Sequence, residues 1–223
     1  YMILKRNDNG RFPLQIKDLQ FEINDWLPSH PYDRQYVYHM AWAMQKIYNL
    51  SPSKHIDISS HIHFSTLLST FVETDFYDIR KLEINLPNFK SGTADLTKLP
   101  FKDNSIESLS CMHVIEHLGL GRYGDKLDLD LDILAIKELI RVLKPGGKIL
   151  FVVPIGSPKI VFNAHRVYSY SNILEYFDSL IMDEFSLIPE NSNDGDIVIN
   201  PSIELVNKQN IGCGCWCFTK NNI

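Results

Sequence analysis

The sequence has no excess of basic residues and no long apolar segment. Lys and Arg number 22 against 27 Asp and Glu among 223 residues, which gives a formal net charge of −5. A chain of this charge lacks the electrostatic footprint that attracts phosphate backbones, so we do not expect a nucleic-acid partner. No apolar run approaches the roughly 18 residues of a membrane span, and the N-terminus shows no leader pattern. We therefore expect a cytoplasmic protein with no membrane span.

Cysteine is also scarce, and four cysteines at this length do not predict a disulfide scaffold. Three of them form "CGCWC", where Cys213, Cys215 and Cys217 occupy every second position. This spacing differs from the two-residue gaps of common zinc and redox motifs. Reduced side chains packed in a terminal strand are the simpler interpretation, and a metal or redox role is the alternative.

The organisation of the chain follows from proline and from apolar periodicity. Residues 1–35 are irregular and punctuated by proline, as in "RFPLQ" and "WLPSHPYD", which predicts an N-terminal arm followed by a domain over 36–223. Because the chain begins with Tyr1 and not Met, natural N-terminal elements can be missing from it. The segment "QYVYHMAWAMQKIYNL" then predicts a helix that covers one face of a sheet. Its periodic residues are Val37, Met40, Ala41, Met44 and Ile47 or Tyr48. A dimer surface formed by its aromatic residues is the alternative, so the oligomeric state stays open.

Strand-like and helix-like segments alternate through the rest of the chain. "KHIDIS", "FYDI", "SIESLSCMHV" and "KILFVV" are typical of strands. Between them, Phe64, Leu67, Leu68 and Phe71 share one face of a predicted helix, and "LDILAIKELIRVLK" predicts another helix that ends at "PGG". This alternation predicts an α/β fold with a parallel sheet, whose ligands bind at the carboxyl ends of the strands.

Aspartates occur at or just after three successive predicted strands: Asp57, Asp78 and Asp95. Asp57 and Asp78 are 21 positions apart, which is close to the spacing between a dinucleotide-binding turn and the carboxylate that binds ribose hydroxyls. A carboxylate suits that task because it only accepts hydrogen bonds and a diol donates two. Aspartates that merely satisfy turn or cap groups are the alternative.

Two longer segments resemble a known superfamily. "TADLTKLPFKDNSIESLSCMHVIEHL", followed by "ELIRVLKPGGKILFVVP", is similar to the class I S-adenosylmethionine-dependent methyltransferases, and the resemblance spans roughly residues 50–185. It implies a Rossmann-like, mostly parallel seven-stranded sheet flanked by helices, with an antiparallel terminal strand. "EHLGLGRYGD" and "YVYHMAW" resemble a functionally uncharacterised branch that is associated with bacterial surface-glycan gene clusters.

The resemblance implies S-adenosylmethionine as the cofactor and a role for each aspartate. Asp57 would lie at the methionine end, Asp78 would bind the ribose hydroxyls, and Asp95 with Leu96 would recognise the adenine.

The stretch "HIDISSHIH" departs from the superfamily pattern, because its usual glycine-rich turn is replaced by Ser59, Ser60 and His61. Glycine permits positive φ and close approach of the backbone to a ligand, whereas serine keeps a small size and adds a hydroxyl donor. Two hypotheses follow. Either Ser59 and Ser60 contact the cofactor, or the chain is a noncatalytic binding module with a degenerate cofactor site.

The segment "HVIEH" matches the inverted zinc-protease pattern H-x-x-E-H. That reading needs His113 and His117 on one helical face, whereas His113 ends a predicted strand here. We therefore expect no metal at "HVIEH" or at "CGCWC". In the methyltransferase interpretation His113 lies at the rim of the cofactor pocket, and Glu116 and His117 begin the helix after the fourth strand.

The segment "NAHRVYS" follows the predicted fifth strand and supplies His165 and Arg166. Arg166 either binds an anionic acceptor or pairs with the acidic loop "GLGRYGDKLDLDLD". The predicted activity is transfer of a methyl group to an oxygen or nitrogen of a small-molecule or glycan acceptor. Because a hydroxyl needs a base near neutral pH, His165 is the leading candidate, with His113, Glu116 and His117 as further catalytic candidates.

Overall fold

The computed structural model describes residues 2–6 and 8–221, and the chain divides into two units. The first unit, Tyr1–Asp33, contains helix α1 (Met2–Arg6) and a 3-10 turn at Ile16–Asp18. The second unit, Arg34–Ile223, carries the sheet and every candidate residue named above. The arm boundary at residue 35 stays a prediction.

The second unit alternates strands and helices. In chain order they are α2 (Arg34–Leu50), β1 (Lys54–Ile58), α3 (Ile62–Leu68), β2 (Glu73–Asp78), β3 (Phe89–Thr93), β4 (Ile106–Met112), α4 (Leu131–Val142), β5 (Leu143–Ile155), β6 (Lys159–Val161), β7 (His165–Val167), α5 (Tyr170–Tyr176), β8 (Leu180–Ile188), β9 (Val198–Ile199), α6 (Ile203–Asn207) and β10 (Gly212–Lys220). Across the described residues, no helix has both the length and the apolar character that crossing a membrane requires.

The main sheet has the strand order β3-β2-β1-β4-β5-β10-β8-β9. The strands from β3 to β5 pair in parallel, and β10 lies antiparallel between β5 and β8. This arrangement confirms the predicted α/β fold with an antiparallel terminal strand. The predicted count of seven strands was wrong, because β9 adds an eighth at the edge, paired with β8. Two residues are too short a run to give a strand pattern in the sequence.

Both faces of the sheet are covered, because alternate residues of a strand point to opposite faces. Phe151 and Val153 of β5 belong to one core cluster, with α4, α5 and Trp216. Leu150 and Val152 belong to the other, with α2 and α3. The cysteines of "CGCWC" lie in this second cluster, and all four cysteines of the chain are free and buried.

Helix α2 packs on the sheet, and the predicted buried face was correct in part, because Ile47 is buried and Met40 and Met44 pack against the second core cluster. Val37, Ala41 and Tyr48 are exposed, whereas His39 and Trp42 are buried. These two polar side chains can be buried because each has a hydrogen-bond partner. The His39 ring bonds the carbonyl of Gln35 at 2.8 Å, and the Trp42 indole donates to Glu184 at 3.1 Å. The apolar pattern alone does not reveal such partners.

Two other helices end earlier than the sequence indicates. Helix α3 ends at Leu68, so Phe71 lies beyond it and is 45% exposed, and Leu67 is 58% exposed. Helix α4 ends at Val142, before "PGG", and Leu143 is buried as the first residue of β5.

A buried polar network joins β1, β4 and α3. Asp57 is fully buried and accepts hydrogen bonds from the hydroxyls of Ser110, at 2.5 Å, and Ser65. The hydroxyl and backbone N–H of Ser60 also donate to it. His55, on the same strand, bonds Ser110 through Nε2 at 2.8 Å. The network fixes the start of the turn that follows β1.

Burial raises the pKa of Asp57 to about 6, although the hydroxyl donors lower it. A raised pKa means that the folded protein keeps this proton up to a higher pH than the unfolded chain does. Asp57 therefore lowers the free energy of unfolding progressively from about pH 4 to pH 6, and the full penalty of about 3 kcal/mol remains above that range.

Asp57→Asn should remove this penalty, because the amide stays neutral at every pH. Urea unfolding of both proteins at pH 4 and pH 7 tests this. Between pH 4 and pH 7, the difference in unfolding free energy between variant and wild type should shift by about 2 kcal/mol in favour of the variant, because a small part of the penalty is already present at pH 4. Buried His55 titrates in both proteins, so its contribution cancels in the difference. Parallel pH profiles would show that Asp57 keeps one protonation state.

Candidate active site

The turn after β1 keeps a glycine-like path without glycine. Ser59 has φ of 56°, in the left-handed region that costs a non-glycine residue roughly 1 kcal/mol. Its N–H donates to the carbonyl of Tyr77 at 2.7 Å, and its hydroxyl donates to the same oxygen at 3.2 Å. Ser59 therefore adopts the positive φ that glycine permits in the superfamily's usual turn, and the hydrogen bonds to the Tyr77 carbonyl hold it there.

Two adjoining cavities lie beside this turn, at the carboxyl ends of β1, β2 and β4. Their volumes are about 530 Å³ and 180 Å³, and the larger lies within the range of small-molecule sites. Among the described residues, those that line both cavities are Ser59, Asp78, Arg80, His113, His117 and Tyr123. The cavities therefore occupy the edge where an open α/β sheet binds its ligands.

Asp78 ends β2 and presents a charged carboxylate to both cavities. Arg80 donates to it from Nε at 2.9 Å, from Nη2 at 3.1 Å and from the backbone N–H at 2.8 Å. Burial raises the pKa of Asp78, but the contacts with Arg80 lower it by a larger amount, so the net shift is downward. A ligand hydroxyl at Asp78 would share the carboxylate with Arg80.

The smaller cavity combines apolar walls with the carboxylates of Asp78, Asp95 and Asp125. Ala94, Leu96 and Leu118 line it together with Asp95. One carboxylate oxygen of Asp95 accepts from the N–H of Thr97 at 2.8 Å and from its hydroxyl at 2.7 Å. The structure thus brings Asp95 and Leu96 to the same cavity as Asp78, while Ser60 lines the larger cavity.

Asp57 lines neither cavity and lies beneath the turn, in the network described above. The structure therefore gives it a supporting position, and its expected contact with the methionine end of the cofactor stays a prediction.

His113 and His117 flank Glu116 at the end of β4. His113 has φ of 55°, and its Nδ1 lies 2.9 Å from Glu116 Oε1. His117 ends a 3-10 turn, Ile115–His117, and its Nε2 lies 3.9 Å from the same oxygen. Burial lowers the pKa of His113, but the contacts with Cys213 and Glu116 raise it by a larger amount, so the net shift is upward. The "HVIEH" segment is therefore not the helix that an inverted zinc-protease motif requires.

His165 and Arg166 do not line either cavity. His165 begins β7, its ring centre is 6.5 Å from that of His117, and burial lowers its pKa. Arg166 is buried and donates to the carbonyls of Leu118, at 2.5 Å, and Leu129, at 3.1 Å. Its Nε is 3.5 Å from Asp132. Of the two roles left open for Arg166, the structure supports the ion pair at the acidic loop.

Several cavity residues were not identified from the sequence. Arg80, Lys81 and Arg122 give the larger cavity positive charge. The guanidinium groups of Arg80 and Arg122 each lie 5.3 Å from the ring centre of Tyr123. Tyr36 of α2 stacks on His113 at 5.3 Å between ring centres. Arg80 and Lys81 follow β2 in "FYDIRKL", and the other residues lie in "YVYHMAW" and "GLGRYGD", but nothing in these segments indicates which side chains face a cavity.

Comparison with known proteins places the chain in a family. Residues 91–207, just over half of the chain, match the model of the family described as "Caenorhabditis protein of unknown function, DUF268". The chain is similar to "Uncharacterized protein MJ0638" of Methanocaldococcus jannaschii, with 28% identity over 102 residues. That match covers 44% of this chain and 39% of the relative, so the chain spans less than half of the length of this relative.

Two solved structures show the same fold. The 1,6-didemethyltoxoflavin-N1-methyltransferase of Burkholderia thailandensis, with bound S-adenosylhomocysteine, has a TM-score of 0.58 and 10% identity, over 82% of this chain and 78% of that one. A putative sarcosine dimethylglycine methyltransferase of Galdieria sulphuraria has a TM-score of 0.58 and 13% identity, over 83% and 86%. Identities this low establish the fold alone. The chain belongs to the DUF268 family, and its fold is that of the class I S-adenosylmethionine-dependent methyltransferases.

Proposed function

We propose that the chain binds S-adenosylmethionine in the two adjoining cavities and transfers its methyl group to an oxygen or nitrogen of a small-molecule or glycan acceptor. The observation that carries this proposal is the position of Asp78 and the left-handed Ser59 turn on the shared wall of both cavities. The methyltransferase fold supports it independently.

The two cavities differ in the part of the cofactor that each suits. The smaller cavity, with apolar walls and the Asp95 acceptor, suits a flat adenine with an exocyclic amine. Asp78, on the shared wall, suits the ribose diol. The larger cavity then receives the methionine end beside Ser59, with the sulfonium and the acceptor near His113 and His117.

Methyl transfer requires the protein chiefly to align the reacting atoms. The acceptor oxygen or nitrogen forms a bond to the methyl carbon while the carbon–sulfur bond breaks, and S-adenosylhomocysteine leaves. The enzyme holds acceptor, carbon and sulfur in line, and a base removes the acceptor proton.

His117 is better placed than His165 to be that base. His117 lines both cavities, and its Nδ1 lies 2.6 Å from the carbonyl of Ala164, which accepts the Nδ1 proton. The ring therefore carries its lone pair on Nε2, the nitrogen that lies 3.9 Å from Glu116 Oε1. His165 lies behind His117, so we assign it a supporting position.

The glycan acceptor is an expectation from the sequence resemblance. The Burkholderia thailandensis enzyme has the small molecule 1,6-didemethyltoxoflavin bound, which supports a small-molecule acceptor for this chain as well. The noncatalytic alternative is favoured by one observation, the occupation of Asp78 by Arg80. The left-handed turn at Ser59, which lies on the shared wall of both cavities, supports cofactor binding instead.

Asp78→Asn should weaken S-adenosylmethionine binding by about 1.5–3 kcal/mol, the contribution of a hydrogen bond to a charged group. This loss corresponds to roughly a 10- to 150-fold rise in Kd, measured by isothermal titration calorimetry.

Asp75→Asn is the matched control. Asp75 lies on the same strand, is buried and pairs with Lys54 at 2.7 Å, but lines neither cavity. It should leave Kd unchanged. The absence of binding heat from wild type at millimolar ligand would refute cofactor binding and favour the noncatalytic alternative.

His117→Ala should lower turnover by about 10²- to 10⁴-fold, because that is the typical contribution of a general base. His165→Ala is its matched control and should lower turnover by less than about 10-fold. Release of S-adenosylhomocysteine, first screened over a panel of sugars and amines to find an acceptor, gives the rates. A larger loss in His165→Ala than in His117→Ala would restore His165 as the base.

A further inference from the structure

Three potential metal ligands converge from three separate elements. His39 lies on α2, His113 directly follows β4, and Cys213 lies on β10. One ring nitrogen of each histidine and the Cys213 Sγ all lie within 4.8 Å of one another. Cys213 Sγ is 3.4 Å from His113 Nε2. Sequence segments more than 70 positions apart thus present two imidazoles and a thiol to one point.

The environment of His39 indicates that its Nε2 atom binds a group that is absent from the chain itself. The side chain is 1% exposed, and its Nδ1 lies 2.8 Å from the Gln35 carbonyl, which accepts the Nδ1 proton. The remaining nitrogen, Nε2, therefore carries a lone pair, and it is buried without a hydrogen-bond partner in the described part of the chain. Buried polar atoms without partners are costly and rare in native proteins.

His113 is oriented in the manner of a metal ligand. The carboxylate of Glu116 bonds its Nδ1 at 2.9 Å, so Nε2 points toward Cys213. In many zinc sites, the ring nitrogen of a ligating histidine that does not bind the metal donates a hydrogen bond to a carboxylate. The left-handed backbone of His113, with φ of 55°, is a strained conformation of the kind found at functional sites.

We propose that His39, His113 and Cys213 bind one zinc ion. Two imidazoles and a thiolate match the ligand preference of zinc, and three protein ligands leave a fourth position for water or a substrate. Zinc–nitrogen and zinc–sulfur bond lengths place tetrahedral ligands about 3.5 Å apart. The contact of His113 with Cys213 already has this separation, and because all three atoms lie within 4.8 Å of one another, any other pair needs to approach by about 1.3 Å at most.

The proposal replaces the expectation that neither "HVIEH" nor "CGCWC" binds metal. Neither motif alone supplies a complete ligand set. The structure takes one residue from each and adds His39 of "YVYHMAW". The Tyr36 ring packs against both histidines, with its centre 5.3 Å from that of His113 and 5.1 Å from that of His39. His113 also lines both cavities, so the ion would lie behind their wall and join α2 to the sheet.

Titration of untagged, chelator-treated protein with zinc against a chromophoric chelator tests the proposal. Wild type should bind one zinc ion per chain. His39→Phe, which keeps an aromatic ring, and Cys213→Ala should each weaken binding by more than about 100-fold. Glu116→Gln should weaken it by about 10- to 100-fold, the usual effect of losing a partner of a ligating histidine.

His63→Phe and Cys111→Ala are the matched controls and should keep wild-type affinity. His63 is exposed, and Cys111 is buried on β4 in the other core cluster. Circular dichroism establishes which variants fold. Cobalt(II) supplies a readout that needs no variant, because a thiolate ligand gives the cobalt protein a charge-transfer band in the near ultraviolet.

Stoichiometric zinc with this band, lost in Cys213→Ala and kept in the controls, supports the site. Wild type that binds no stoichiometric zinc, a cobalt protein without a thiolate band, or folded His39→Phe and Cys213→Ala that bind as wild type would overturn it. None of these results depends on S-adenosylmethionine, so the site and the proposed methyl transfer stand or fail separately.

Discussion

The fully buried carboxylate of Asp57 is the group on which the arrangement of the site depends. Hydroxyls from β4, from α3 and from the turn itself converge on it. A buried carboxylate is tolerated only where such donors surround it. These contacts fix where β1 ends, and Ser59 begins the turn from that point, held by the Tyr77 carbonyl of β2. The shared wall of the two cavities therefore depends on a residue that lines neither.

Helix α2 has more than the covering role that its position suggests. It packs on the sheet through Trp42, Ala43 and Ile47, as part of the second core cluster. The same helix places Tyr36 against His113 and brings His39 next to Cys213. One helix thus completes the core, forms part of the cavity wall and supplies a proposed metal ligand. A change in its packing would alter all three.

The sequence was informative where chemistry coincides with a strand end. Asp78, Asp95 and His113 meet at one edge because parallel strands bring their carboxyl ends together, and the strands themselves have clear apolar patterns. It was less informative where side-chain direction decides the outcome. His165 and Arg166 were expected beside the acceptor; both lie on β7 and line neither cavity, and the catalytic role of His165 stays a prediction. His39 was missed because its burial depends on the Gln35 carbonyl, which no residue pattern reports.

The most direct test of the account is a crystal structure of the protein grown with S-adenosylhomocysteine. The account predicts adenine in the smaller cavity between Asp95 and Leu96. It also predicts both ribose hydroxyls within about 2.5–3.0 Å of the Asp78 carboxylate, the range of such hydrogen bonds. The homocysteine end should lie beside Ser59 in the larger cavity. Density for the ligand at another place, or cavities without it at a saturating concentration, would contradict the account.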